Sequence, residues 1–86
     1  MATVAEEERW VTDELSLAAY VALKLNTDPA IEWTGTSCSF VFAKTPDLMN
    51  EVVRFVSADA QVEPREYHMK VSGIRQAMFD RRPNRH

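Results

Sequence analysis

Eighty-six residues, 45% hydrophobic and 27% charged with two glycines, four prolines and one cysteine, describe one small globular domain. They exclude collagen-like repeats, a disulfide framework and a cysteine-rich zinc site. The formal net charge of −3 hides an asymmetry: residues 1–43 carry two basic and seven acidic groups, residues 44–86 eight basic and six acidic. A chain this short buries only roughly 60–65% of the surface its unfolded form exposes, so its stability is modest.

Residues 1–11 read as a polar lead-in, with Trp10 and Val11 the first side chains expected to dock. Glu6, Glu7 and Glu8 stand where a signal peptide needs basic residues and then an apolar stretch. The longest near-apolar run, Leu15 to Leu23, is well short of the ~20 residues that span a bilayer. A reduced, cytoplasmic setting without membrane contact is therefore expected.

The first helix is predicted over Leu15–Leu25, capped by Thr12 or Asp13. Only Ser16 and Lys24 are polar in it, which makes it a central element covered by several neighbours. Asn26 offers a stop and Pro29 forbids continuation. Two strands follow, Ala30–Thr34 and Ser37–Ala43, both alternating with period two around a turn at Gly35. Ile31 and Trp33 share one face of the hairpin strand, and Cys38, Phe40 and Phe42 share one face of the next.

Thr45-Pro46-Asp47 is the clearest helix start in the chain: a cap, a proline at the first position and an acid in the first turn. Leu48, Met49, Val52, Val53, Phe55 and Val56 mark its apolar stripe, with Asn50, Glu51 and Arg54 outside it. After a break over Ser57–Gln61, Glu63-Pro64 opens a last helix with Tyr67, Val71, Ile74 and Met78 on one side, fading near Phe79. Gly73 interrupts it at a cost of about 1 kcal/mol relative to alanine. The expected architecture is a single α+β domain over residues 12–79, ordered αββαα, with one hairpin packed on helices and a basic tail over 80–86. Leu17, Tyr20, Phe40, Phe42, Val52, Phe55, Tyr67 and Ile74 are its predicted core.

A search for catalytic chemistry returns little. There is no glycine-rich phosphate loop, no paired-cysteine motif and no His-x-x-x-His, and the histidines are His68 and His86. A Cys38–His68 pair is conceivable, but Cys38 shares its strand face with Phe40 and Phe42, where a free thiol packs as a small hydrophobe. Asp13, Glu14 and Asp47 belong to helix starts, and Glu32 to the outer face of the hairpin. No ligand spacing suggests a metal or cofactor, so no enzyme is expected. Binding is harder to dismiss. Arg54, Lys70, Arg75, Arg81, Arg82 and Arg85, with Arg65, can form a discontinuous basic surface for phosphates, although Glu51, Glu63, Glu66 and Asp80 interleave with them. Trp10, Trp33 and Tyr20 are the aromatics suited to anchor an interface, and Trp10, read as outside the regular elements, is the best placed.

The run Thr12-Asp13-Glu14-Leu15-Ser16-Leu17-Ala18-Ala19-Tyr20, the strand Phe40-Val41-Phe42 and the helix opening Val62-Glu63-Pro64 resemble a family of short bacterial and phage domains of unknown function. The likeness covers about four-fifths of the chain in short, mostly hydrophobic pieces. Leu25-Asn26 and Ala58-Asp59 depart from the family's glycine-containing helix ends. The resemblance implies a phage, prophage or mobile-element source and carries over no site residues. The expectation is a small non-enzymatic binding protein that engages a host protein or itself, as a homodimer. Nucleic-acid binding through the basic carboxy-terminal surface is the alternative, and sequestration of a nucleotide signal between protomers is a weaker third.

Overall fold

The computed structural model describes residues 8–83, so Glu6, Glu7, Arg85 and His86 lie outside the described residues. Its elements are β1 (Arg9–Thr12), α1 (Leu15–Leu25), β2 (Ala30–Thr34), β3 (Ser37–Ala43), α2 (Pro46–Val56) and α3 (Pro64–Asp80). The fold is α+β with a hairpin on helices, as expected, but the order is βαββαα. Residues 9–11, taken as lead-in, begin a strand that pairs antiparallel with β3. Trp10 is therefore inside the sheet and not outside the regular elements. The three-stranded antiparallel sheet has the order β1-β3-β2.

The register explains which face is buried. Trp10 lies opposite Phe42 and Thr12 opposite Phe40, while Ile31 lies opposite Phe40 and Trp33 opposite Cys38. With side chains alternating across the sheet, these residues share the face that meets the helices. Gly35, at φ 64°, opens the two-residue hairpin turn, where a first central residue with positive φ favours glycine. On the opposite face the Arg9–Glu32 ion pair, 2.7 Å long, reaches diagonally across the row of Val11, Val41 and Ala30.

α1 is the centre of the helical layer. Leu17 through Ala22 are all buried, and both α2 and α3 pack against it. Its alanines let the two neighbours and the sheet approach closely. Neither Thr12 nor Asp13 caps it: Glu14 holds the cap position, its carboxylate accepting from the Ser16 hydroxyl and from no backbone N–H of the first turn, because Thr12 is still in β1 and its hydroxyl accepts the Glu14 N–H at 3.1 Å. Asn26 ends the helix in the left-handed conformation, and its N–H donates to the Ala22 carbonyl.

α2 starts as its sequence requires, with Thr45 Oγ1 accepting the Leu48 N–H at 3.1 Å. Leu48 is fully buried, whereas Val53 and Val56, read as part of the stripe, are exposed. Among the helices α2 packs chiefly on α1, so only a narrow side of it is covered. In α3, Glu63 caps through its carboxylate, Pro64 follows, and the helix runs to Asp80. The buried core joins α1 to Phe40, Phe42, Leu48 and Ile74, with Val52, Phe55 and Tyr67 half-buried around it.

Candidate functional site

The predicted basic surface comes together only in part: Lys70 and Arg81 lie along one side of α3, and the others are spread over different flanks. Arg54 is paired with Glu51 on α2 at 3.2 Å, and Lys70 reaches Asp28, beyond the end of α1, at 3.1 Å. Arg75 is exposed on α3 but sits roughly 140° around the helix from Lys70, so the two serve different flanks. Arg81 follows the last residue of α3 as its cap, and Arg82 is exposed in the turn beyond. Arg85 lies outside the described residues.

The aromatics are mostly spoken for by packing. Trp10 is half-buried with its ring 5.9 Å from that of Phe42. Tyr20, 1% exposed, is a core residue and offers no free ring face to a ligand: Phe55 lies 5.4 Å from it and the Lys24 ammonium sits over it at 5.8 Å. Its hydroxyl donates to Glu51 Oε1 at 2.7 Å. Burial first, then this hydrogen bond and the Glu51 charge, push the Tyr20 hydroxyl up to about 12. Trp33 donates its indole N–H to the Met78 carbonyl at 3.3 Å and so ties the hairpin to α3. Cys38 is half-buried and burial pushes its thiol up, which leaves less of the reactive thiolate at neutral pH. His68 is exposed.

What the structure does build is a groove of about 470 Å³ beside α3. Its walls are the Asp28–Ile31 stretch on one side and α3 on the other; no residue of β1 or β3 contributes. Pro29, Ile31, Ile74 and Ala77 make an apolar floor, and Met69, 65% exposed, stands in its wall. Glu66 and Arg81 carry charge at opposite ends of the helical wall and have no ion-pair partner among the described residues. Gly73 opens into the same groove, and a Cβ there would meet nothing within 4 Å. Packing inside the chain therefore does not account for a glycine in mid-helix.

Of the groove residues only Lys70 and Arg81 are binding candidates from the sequence. Met69 and Gly73 carried a signal: an apolar residue off the core stripe, and a helix-weakening glycine four residues later. Among the described residues no three histidine, cysteine or acidic side chains converge on a metal position, and no helix is long and apolar enough to cross a membrane. No protein-family model, curated protein or solved structure matches the chain.

Proposed function

We propose that the chain is a small non-enzymatic binding protein that holds a partner protein in the groove between α3 and the Asp28–Ile31 stretch. The observation that carries this reading is the groove itself: an apolar floor with an exposed methionine in its wall and an unfilled opening at Gly73. Such a concave, mostly apolar surface with a few charges at its ends is the usual form of a recognition site. The setting proposed with it, an accessory factor of a phage or mobile element acting on a host protein, is the one that the sequence resemblance implies.

Nucleic-acid binding has less support, because Arg54 and Lys70 spend their charge on Glu51 and Asp28 and Arg75 faces another flank. Selection of a displayed library of random peptides on the full chain tests the proposal. Peptides should be enriched, and Met69→Asp should weaken them by about tenfold or more while preserving the thermal melt. A library that yields no binder sensitive to Met69 overturns the reading. Labelled DNA that binds tightly, with a steep loss as salt rises, would favour the alternative.

A further inference from the structure

β2 is an edge strand, and its backbone is only half used. In the β2–β3 hairpin Thr34 and Ser37 flank the two-residue turn and exchange hydrogen bonds, so Glu32 and Ala30 also face β3. The N–H and C=O groups of Ile31 and Trp33 therefore point away from the sheet, and among the described residues they have no backbone partner. The Ile31 end of this open edge borders the groove, which the Ile31 side chain lines from its inner face. A strand laid against the edge would send the side chain opposite Ile31 toward α3, where Ile74, Ala77 and the gap at Gly73 await it.

We propose that the groove takes an extended segment of a partner protein, added as a fourth strand on the edge of β2, with apolar side chains alternating toward α3 and a basic side chain set against Glu32. This rests on the binding function proposed above and specifies its partner. Charge selects against a second copy of the chain as the occupant. The two-fold pairing that sets Ile31 opposite Trp33 of the copy, and so satisfies all four of their open groups, centres on Glu32 and would place Glu32 directly opposite its own copy, a destabilising contact. A heterologous strand carrying lysine or arginine at that position turns the same carboxylate, already shared with Arg9, into an attraction. Strand addition is a common recognition mode in which main-chain bonds supply affinity and pockets for alternate side chains supply specificity.

The test uses the full chain and peptides of roughly ten residues selected from a random displayed library, with counter-selection on Gly73→Trp. That indole occupies open space, and Ala77→Trp is a second blocking variant should the first lose stability. The selected peptides should share apolar residues at every second position with a basic residue between them. At saturating peptide the amide exchange of Ile31 and Trp33 should slow by about tenfold or more, while that of Glu32, already bonded to β3, changes little. Proline at a peptide position that donates to β2 should weaken binding by about tenfold, the loss expected for one main-chain hydrogen bond. Peptides that bind the groove with apolar spacing of three and four, or without slowing Ile31 and Trp33, overturn strand addition and leave the binding function standing. If no peptide distinguishes the parent from both blocking variants, the groove is not a binding site and both readings fall.

Discussion

Tyr20→Phe isolates one hydroxyl in a buried setting. The ring stays, and with it the contacts to Phe55 and Lys24; what goes is the hydrogen bond to Glu51, 2.7 Å long. A hydrogen bond to a charged acceptor contributes about 1.5–3 kcal/mol. Glu51 keeps Arg54 at 3.2 Å and remains 16% exposed, so water can replace part of the loss and the lower end applies, about 1.5–2 kcal/mol at pH 7. The pH dependence is the sharper test. In the unfolded chain a tyrosine titrates near pH 10, whereas in the fold Tyr20 holds its proton to about 12. Between these values the folded state binds more protons than the unfolded state, so stability falls as pH rises, by about 1.4 kcal/mol per unit and roughly 2–3 kcal/mol in all. Below pH 9 the Tyr20 contribution is intact. Urea unfolding at intervals from pH 8 to beyond 11 should show this decline in the parent. In Tyr20→Phe only the shares of Tyr67 and Cys38 should remain, whose hydroxyl and thiol burial also pushes up. Equal alkaline slopes in the two proteins would refute the assignment.

Three further outcomes follow from packing and backbone. Phe42→Ala empties a buried position beneath Trp10 and should cost about 3–5 kcal/mol; a melt matching the parent would mean that the hairpin faces the other way. Ala58 holds φ 63° between α2 and α3, a conformation that costs a side-chain-bearing residue about 1–2 kcal/mol, so Ala58→Gly should raise the melting temperature. The thiol of Cys38 should label slowly at neutral pH and rapidly once the chain is unfolded, and Cys38→Ala should leave peptide binding unchanged; fast native labelling would contradict its packing role.

Features that a local pattern encodes were readable in advance. The cap, proline and acid at residues 45–47 start α2 where the signal stands, and the run from Leu17 to Ala22, apolar on every side, is indeed covered on every side. β1 was not readable, because four residues with only Trp10 and Thr12 turned inward give too short an alternation, and its partner β3 lies far along the chain. Val53 and Val56 fit a helical stripe, yet how much of that stripe is covered depends on α1 being the chief neighbour of α2, which no periodicity reports. The groove failed to show for a similar reason. Met69 and Gly73 sit on α3, but the opposing wall of Asp28, Pro29 and Ile31 comes from a segment some forty residues earlier, and only the tertiary arrangement makes them neighbours.

The central place of β3 also sets an order in time. β2 joins it across a two-residue turn, a closure of the microsecond class, whereas β1, although made first by the ribosome, has to wait until Phe40 and Phe42 have emerged before Thr12 and Trp10 find their partners. During that wait one side of β3 is a bare template flanked by large apolar side chains, open to the same strand of another nascent chain. Arg9–Thr12 thus act as a late seal on the sheet. Chains that begin at residue 13 would keep every helix and the hairpin and yet leave that side permanently unsealed, so they should accumulate as aggregates at concentrations where the full chain stays dispersed.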